Sequence, residues 1–294
     1  MPDPRIDVVL LTMNDRPAEE AAAQATLLAQ TGVDLRICVV GNGCEPQIVP
    51  AGALTVALPE NLGIPGGRNA GAEALHTAGD PADLLFFLDN DAAFPRPDIL
   101  ARLAAEAARR PTAAYVQPRL TGPDDATTPR RWVPRLRASD PQRPGTITTM
   151  TEGVVLVRRK PFDAAGGWAA ELFLYHEGIA LAQQLWDQGY TGWYAAEVRM
   201  HHPVTSPDRH ALFHRYSARN RVWVAYRNLP APLIPAYLTV WTVITLARAM
   251  RRGSVRETLC GMREGWARRH VPARRPLSWH TVWRMTAAGR PPLI

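Results

Sequence analysis

The chain has 294 residues, of which 46% are hydrophobic and 21% charged, a balance that favours a globular protein with a core over a disordered chain. Its three cysteines include no Cys-x-x-Cys pair, which argues against a disulfide framework or a zinc ribbon and favours a reducing cytoplasm. The N-terminus lacks the basic start and longer apolar run of a signal peptide. The net charge of +7 comes from arginines that are densest at residues 251–275. Such a tail suits nucleic acid, anionic lipid or a phosphorylated acceptor, and a merely solvated surface explains it equally well.

The first part of the chain alternates apolar runs with helical stretches. Because such a sequence of strands and helices forms layered sheets, we predict an α/β fold with a mainly parallel central sheet flanked by helices. Sheets of this kind bind ligands at the carboxyl ends of their strands. The predicted strands are residues 6–11, 35–40, 54–58 and 84–88, and the predicted helices are residues 18–30, 67–78 and 98–109.

From about Tyr115 onward the pattern changes, and proline-rich segments separate the predicted elements. We predict a strand at residues 153–158 and helices at residues 177–188 and 213–227. Beyond Pro230 the composition becomes apolar and then basic, so we predict one domain over residues 1–230 and a helical basic C-terminal extension over residues 231–294.

The apolar stretch at residues 233–250 is about long enough to cross a bilayer. It contains Pro235, Tyr237 and Arg248, however, and leads straight into basic residues. A packed core or dimer-contact helix, or an amphipathic helix at a membrane surface, is therefore favoured over a membrane span.

The sequence FFLDNDAAF places two carboxylates directly after a buried strand. Asp89 and Asp91, on either side of Asn90, project the same way from a strand end. Two adjacent carboxylates favour a cation, and Mg²⁺ and Mn²⁺ readily combine carboxylates with substrate phosphates. A helix cap or an Asx turn is the alternative interpretation.

The sequence PENLGIPGGRNAGAE combines close backbone approach with a fixed cation. Gly66 and its neighbouring glycines permit the approach, Arg68 supplies a planar donor fork, and Arg68-Asn69 opens a helix whose amides favour an anion. The pattern predicts a phosphate or sugar contact, with tight helix–sheet packing as the alternative. It is neither a dinucleotide fingerprint nor a Walker loop.

Small polar residues end the first two predicted strands, in LLTMNDR and VVGNG. Thr12, Asn14, Asp15 and Asn42 are candidates for reading a nucleobase and ribose, although ordinary loop polarity explains each of them as well.

Two later segments carry ionisable candidates. Glu177 begins a predicted helix beside His176, where a carboxylate either favours the helix dipole or acts as a general base. His201 and His202 are adjacent and cannot both face one site, so one of them is a candidate metal ligand while the other packs or is exposed.

The order of these motifs resembles inverting glycosyltransferases of family two with the GT-A fold. LLTMNDR, GNG, LPENLGIPGGRNAGA, FLDNDA, EGVVLVRR, GGW, LYHEGIALA, HH and ARNRVWVAYRNLP cover roughly residues 6–230, and they look most similar to bacterial rhamnosyltransferase-like members. The resemblance implies a catalytic domain over residues 1–230 that binds a nucleotide sugar. It also implies a divalent cation, Mn²⁺ or Mg²⁺, as cofactor.

The resemblance implies a role for each matching position. Asp91 would be the main metal ligand, and Asp89 would support the ribose or the metal shell. His202 or His201 would complete metal or pyrophosphate binding, and Glu177 lies in the segment that carries the base. The remaining matches would contact the nucleotide (Thr12, Asn14, Asn42) or line the donor diphosphate and sugar (Asn61, Gly66, Arg68, Asn69).

The base segment departs from the family pattern. Where relatives have further acids this chain has Gly178 and Ala180, and Gln184 stands where relatives often have Arg. Glu177 is therefore the best remaining base, with His176 as its substitute.

The expected function is transfer of a sugar from a UDP or dTDP donor to the hydroxyl of a saccharide, lipid-linked or natural-product acceptor. The alternatives are a degenerate transferase that binds a glycan or partner, and a sugar-phosphate nucleotidyltransferase. The latter wants a glycine-rich triphosphate loop after strand one, where LLTMNDR has none. A dehalogenase-type phosphatase would place Asp-x-Asp after the first strand. We expect a cytoplasmic enzyme with peripheral membrane contact through residues 233–275, and a second copy of the chain is a candidate partner. We expect no nucleic-acid partner, since no reading motif is present.

Overall fold

The computed structural model describes residues 2–123, 127–134, 140–151, 153–204 and 212–293. Its strands are β1 (Arg5–Thr12), β2 (Asp34–Asn42), β3 (Leu54–Leu58), β4 (Leu84–Asp89), β5 (Ala113–Thr121), β6 (Gly145–Ile147), β7 (Val154–Arg158) and β8 (Thr191–His201). Its helices are α1 (Pro17–Leu28), α2 (Gly63–Thr77), α3 (Ile99–Arg109), α4 (Arg159–Ala164), α5 (Glu177–Asp187), α6 (Phe213–Asn228), α7 (Leu233–Arg252), α8 (Val255–Ala267) and α9 (Trp279–Ala287).

The described strands form one sheet in the order β3-β2-β1-β4-β7-β5-β8-β6. β1 to β4 run parallel to one another, as the alternation of strands and helices predicts. β7 runs antiparallel to both β4 and β5, so the sheet is mixed in its second half. The predicted α/β fold with flanking helices and a helical C-terminal part is confirmed.

Strand β4 shows why the sheet is covered on both sides. Leu85 and Phe87 pack into the core on one face, while Phe86 and Leu88 pack into the core on the other, and all four are fully buried. Alternation of side chains along a strand sends neighbouring apolar residues to opposite faces, so a continuous apolar run requires two cores.

Two boundaries differ from the prediction for local reasons. Helix α2 begins at Gly63 rather than at residue 67, because the Asn61 side chain accepts from the Gly63 amide at 2.8 Å and Pro65 is tolerated in a first turn. Strand β8 was not predicted. It pairs with β5 and β6, and buried residues alternate with more exposed ones over residues 196–201, after three consecutive buried residues at 194–196 that break the period of two.

The C-terminal helices pack onto the rest of the molecule. Gly261 and Gly265 of α8 lie against backbone carbonyls of α6, and α9 adds Val282 and Met285 to the core. Only Ile234, Tyr237 and Ala249 of α7 are buried, and among the described helices α7 alone has the length and composition to cross a membrane. The boundary at residue 230 stays a prediction.

Candidate active site

A cleft of about 400 Å³ opens at the carboxyl ends of β1, β2 and β4. One wall comes from the start of α2 and another from the segment before α5. The lining residues are Leu11, Thr12, Met13, Asp15, Arg16, Asn42, Asn61, Gly63, Ile64, Asp89, Asn90, Asp91, Phe173, Leu174, Tyr175 and His202.

Asp89, Asp91 and His202 form a cluster in this cleft. One ligand atom from each lies within 4.8 Å of the others. His202 Nε2 is 3.3 Å from Asp91 Oδ1 and 3.6 Å from Asp89 Oδ2. The backbones of Ala93 and His201 exchange two hydrogen bonds, which bring the end of β8 beside the end of β4.

Gly153 leaves room for this cluster. A Cβ atom at that position would lie 2.5 Å from Asp89 Oδ2 and 3.5 Å from His202 Nε2. A side chain would therefore occupy the space next to the ligand atoms. The two carboxylates, the imidazole and the open position beside them fit a divalent cation.

Arg68 lies beneath the cluster and is 1% exposed. It donates to Asp89 Oδ1 at 2.6 Å, and its guanidinium lies 5.2 Å from the centroid of the Trp168 ring. Its Nε and one terminal nitrogen are buried without a hydrogen-bond partner among the described residues. Arg68 thus fixes Asp89 from the protein side.

The charges of the cluster stabilise one another. Burial opposes ionisation of Asp89, but Arg68 and His202 outweigh it, so the pKa of Asp89 lies below its ordinary value. Burial likewise opposes protonation of His202, and the hydrogen bond and charge of Asp89 with the charge of Asp91 raise its pKa above the ordinary value. Arg16, which also lines the cleft, forms an ion pair with Asp91.

Asparagine side chains shape the wall under the start of α2. Asn42 donates to Asn61 Oδ1 at 2.9 Å, and its own Oδ1 accepts from the Leu62 amide at 2.8 Å. Thr12 donates to Glu20 and accepts from the Asn14 amide at 3.0 Å. These bonds hold the turns that line the cleft.

The opposite wall, residues 173–176, is strained. Phe173, Tyr175 and His176 adopt φ values of 65°, 72° and 70°, which non-glycine residues rarely do. Asn220 of α6 is completely buried beneath the segment, and its amide contacts the carbonyl oxygens of Leu172, Leu174 and Tyr175 at 2.7–2.9 Å. This amide holds the segment against the cleft.

Residues 8–166 match the sequence profile of Glycosyl transferase family 2. The chain belongs to this family. It is a glycosyltransferase, as the order of its motifs predicts. A comparison with curated protein sequences gives no match.

Solved structures show the same GT-A fold. The mannosyltransferase PcManGT from Pyrobaculum calidifontis in complex with GDP-Man and Mn²⁺ is similar at 18% identity and a TM-score of 0.57, with 100% of this chain and 87% of that chain covered. GalNAc-T7 with UDP, GalNAc and Mn²⁺ is similar at 14% identity and a TM-score of 0.59, with 83% of this chain and 51% of that chain covered. S. aureus TarS 1-349 is similar at 11% identity and a TM-score of 0.54, with 75% of this chain and 65% of that chain covered. The chain thus spans about half of GalNAc-T7 and under two thirds of TarS 1-349.

The two base candidates of this family two glycosyltransferase lie in different surroundings. Glu177 is the first residue of α5, is 1% exposed and is not among the residues that line the cleft. His176 Nε2 lies 3.2 Å from both the carbonyl and the hydroxyl of Ser217. Burial, and then the charge of Arg221, lower the pKa of His176 to about 3, which makes it a weak base.

Several predicted donor contacts have structural partners. The Asn14 side chain donates to the Glu45 carbonyl and accepts from the Gln47 amide. The Asn69 side chain donates to the Trp168 carbonyl and accepts from the Trp168 amide. A Cβ at Gly66 would meet Leu62 at 2.7 Å, so this glycine serves the tight first turn of α2. Asn14, Gly66, Arg68 and Asn69 do not line the described cleft, whereas the other predicted donor residues do: Thr12, Asp15, Asn42, Asn61, Asp89 and Asn90. Of the two adjacent histidines, the cluster contains His202.

Sequence reasoning missed three parts of the site. Arg16 follows Asp15 directly and could have been found as a cation beside a strand end. The position of Gly153 gave no signal, because Asp89, which it lies beside, comes 64 residues earlier in the chain. The strained segment before α5 was invisible because its residues are not glycine.

Proposed function

We propose that this family two enzyme is a metal-dependent, inverting glycosyltransferase that moves a sugar from a UDP or dTDP donor to an acceptor hydroxyl. The cluster of Asp89, Asp91 and His202 within the cleft carries the proposal. The mannosyltransferase and GalNAc-T7 structures contain Mn²⁺ with a nucleotide sugar or nucleotide, which supports the same use of the cleft here. We call it the donor cleft.

Asp91, Asp89 and His202 would hold the cation. We infer Mn²⁺ rather than Mg²⁺, because Mg²⁺ prefers oxygen ligands whereas imidazole suits transition metals. When bound, the cation would neutralise charge that develops on the leaving diphosphate.

Two arginines would have different tasks. Arg68 is buried beneath Asp89 and would hold that carboxylate in place. Arg16 lines the donor cleft and pairs with Asp91, so it would be the arginine that faces the diphosphate. This assignment changes the expectation that Arg68 itself contacts the donor.

Glu177 would act as the general base. In one displacement, the acceptor oxygen bonds to the anomeric carbon while the bond from that carbon to the diphosphate oxygen breaks, and the acceptor proton passes to the Glu177 carboxylate. Because Glu177 is 1% exposed, its carboxylate must reach the cleft when the acceptor binds. His176 is the poorer candidate, because its ring is held by Ser217 and its pKa is low.

The same burial of Glu177 favours a second candidate, a degenerate transferase that binds a nucleotide sugar without transferring it. A panel of nucleotide sugars and saccharide acceptors with Mn²⁺, read by mass spectrometry, separates the two. We expect a transferred sugar that disappears with chelator and returns when Mn²⁺ is added back. Nucleotide binding without transfer or donor hydrolysis would instead support the degenerate protein, and chelator-insensitive transfer would contradict the metal site.

We also propose a cytoplasmic enzyme that contacts the inner membrane surface through α7 and the basic segment that follows. Val240, Val243 and Met250 are 50–67% exposed, lie at helical spacing on α7 and precede Arg251 and Arg252. An apolar stripe flanked by arginine suits an anionic lipid surface.

Flotation with anionic vesicles tests this contact. The double substitution Val243→Glu and Met250→Glu should abolish co-flotation, because it places charge in the apolar stripe. Val49→Glu, at another exposed position, should not. Equal flotation of all three proteins would remove the proposal. We also propose a saccharide, lipid-linked or natural-product acceptor, and a second copy of the chain as a partner.

A further inference from the structure

Two arginines pair with the carboxylates of the metal cluster, and the fold holds them differently. Arg68 donates to Asp89 Oδ1 at 2.6 Å and is 1% exposed, so the surrounding core encloses it. Arg16 pairs with Asp91 Oδ2, has a side chain that is 25% exposed, and lines the donor cleft. Of these two cations, Arg16 is therefore the one whose head group the cleft leaves free to change partner.

The Asp91 carboxylate lies between Arg16 and His202. Its Oδ1 lies 3.3 Å from His202 Nε2, and its Oδ2 takes the ion pair with Arg16. A divalent cation bound at Asp91 Oδ2 would lie against the guanidinium, and two cations at ion-pair distance from one oxygen repel each other. Arg16 and the cation therefore compete for the same carboxylate.

The formal charges indicate when this competition is relieved. The carboxylates of Asp89 and Asp91 are balanced by the guanidinium groups of Arg68 and Arg16. A divalent cation alone would add positive charge to this balanced group. A donor diphosphate is a dianion, so the cation and the diphosphate together leave the balance unchanged.

Asp15 gives Arg16 a second partner in the same cleft. Arg16 Nε lies 3.8 Å from Asp15 Oδ2, and the Asp15 side chain is exposed. A pair of this kind is weak, so it keeps the head group near the cleft without fixing it. The backbone of Arg16 is fixed, because its carbonyl accepts from the Glu20 amide at 2.9 Å and Pro17 begins α1. An exchange of partners therefore requires movement of the side chain only.

The diphosphate is a suitable new partner for the Arg16 guanidinium. The planar donor fork of an arginine matches the oxygens of a phosphate as well as those of a carboxylate. Arg16 would therefore keep charge-assisted hydrogen bonds when it leaves Asp91 for a phosphate group. The vacated Asp91 oxygen would then be available to the cation.

We propose that Arg16 couples metal binding to donor binding: its guanidinium competes with the cation for Asp91 and exchanges that carboxylate for the donor diphosphate. The cation then binds weakly alone and tightly together with the diphosphate. This inference rests on the proposed function, because it requires the metal cluster and a diphosphate donor. Since linkage is reciprocal, the cation strengthens diphosphate binding by the same factor.

Binding of Mn²⁺ alone to the full chain tests the competition without requiring activity. Calorimetry and the electron paramagnetic resonance signal of the free ion measure the affinity. Arg16→Gln removes the competing charge, so Mn²⁺ should bind roughly 5- to 100-fold more tightly than to the wild type. Arg16→Lys keeps the charge and should bind Mn²⁺ like the wild type. Arg96→Gln, an exposed arginine paired with Asp98 outside the donor cleft, is the matched control and should leave the affinity unchanged.

Equal or weaker Mn²⁺ binding in Arg16→Gln than in the wild type would overturn the proposal. A wild type that binds no Mn²⁺ would refute both this inference and the metal site of the proposed function. The expected difference in Mn²⁺ affinity without sugar transfer would refute the transfer alone and leave the competition standing.

The same titrations with saturating UDP or dTDP measure the coupling. In the wild type, the nucleotide should raise the Mn²⁺ affinity by roughly 5- to 150-fold. In Arg16→Gln the increase should be smaller, because the competition is already gone and the diphosphate has lost its arginine. An undiminished increase in Arg16→Gln, or no increase in the wild type with either nucleotide, would overturn the exchange of partners.

Discussion

The donor cleft differs in construction from a smaller cavity of about 50 Å³, which we call the arginine cavity and which Gln183, Arg221, Tyr237 and Arg290 help to line. The donor cleft uses the carboxyl ends of neighbouring strands, so β1, β2 and β4 each deliver polar residues to one edge of the sheet. The arginine cavity collects residues from four helices (α5, α6, α7 and α9), from the segment after β6 and from residues 290–292. The first site follows from the fold of the family, whereas the second depends on how this chain packs its C-terminal part.

The two cavities also differ in how their charges are arranged, so substitutions in them should have different effects. The donor cleft pairs its charges: Arg68 with Asp89, and Arg16 with Asp91. Arg221 and Arg290 are the formally charged residues among the described lining of the arginine cavity. Substitutions in the donor cleft should lower metal-dependent donor turnover, while those in the arginine cavity, which shares no lining residue with the cleft, should leave the donor KM unchanged.

The largest expected effect is at the metal cluster. Asp91→Asn removes a charged ligand and leaves Arg16 beside a neutral side chain, so metal-stimulated transfer should fall to the level measured with chelator. Steady-state rates across a Mn²⁺ titration measure this loss. Asp98→Asn, an aspartate bound to Arg96 outside the cleft, is the matched control and should keep full activity. Normal Mn²⁺ dependence in Asp91→Asn would contradict the cluster as the metal site.

The base comes next. Glu177→Gln keeps the size of the side chain and removes its proton acceptor, so kcat should fall by about 10²–10⁴-fold while donor binding is retained. Single-turnover rates and nucleotide titrations separate the two quantities. His176→Gln should have the smaller effect on kcat, since that ring is a weak base. A larger loss in His176→Gln than in Glu177→Gln would reverse the assignment.

A smaller effect is expected at Gly153. The Cβ of Gly153→Ala would lie 2.5 Å from Asp89 Oδ2, so the carboxylate must move and the affinity for Mn²⁺ should fall by roughly 10- to 100-fold. Titration calorimetry with Mn²⁺ measures this change. Unchanged Mn²⁺ affinity in a folded Gly153→Ala protein would show that Asp89 is not a ligand.

The same comparison explains how much the sequence predicts. The strands β1 to β4 and the Asp89–Asp91 pair are readable because apolar runs and turn chemistry are local signals. His202 was singled out together with His201, but only the pairing of β8 with Ala93 brings it to the cluster. Such a pairing has no local signature.

Other residues that come together only in the folded chain are equally hard to predict from the sequence. The sequence shows Arg221 and Arg290 as two of many arginines, and their separation along the chain conceals that they share a wall. Asn14 and Asn69 lie in the motifs that predict donor contacts, yet in the structure their side chains bind the backbone. Short polar side chains also stabilise turns, so the motif alone does not distinguish the two roles. Motif position thus predicts the site more reliably than it predicts which atoms face the ligand.

The smallest effect on chemistry is expected at Asn220 of α6, which is buried beneath one wall of the donor cleft. Its amide nitrogen lies within hydrogen-bond distance of the carbonyl oxygens of Leu172, Leu174 and Tyr175, and its two N–H groups can donate to two of them at once. This segment walls the donor cleft and leads into Glu177. Asn220→Ala would remove the hydrogen bonds to the Leu174 and Tyr175 carbonyls, while the Leu172 carbonyl keeps the Arg219 guanidinium as a donor, so we expect a loss of about 1–3 kcal/mol in unfolding free energy. The segment would also relax from its left-handed conformation, which should raise the donor KM more than it lowers kcat. Chemical denaturation measures the unfolding free energy, and steady-state kinetics measure the donor KM and kcat.

Asn228→Ala is the control, because Asn228 is a similarly buried asparagine of α6 that binds Ala180 and Gln183. This variant controls for stability and should leave the donor KM unchanged. Equal KM changes in the two variants would mean that Asn220 supports the fold of α6 rather than the wall of the cleft.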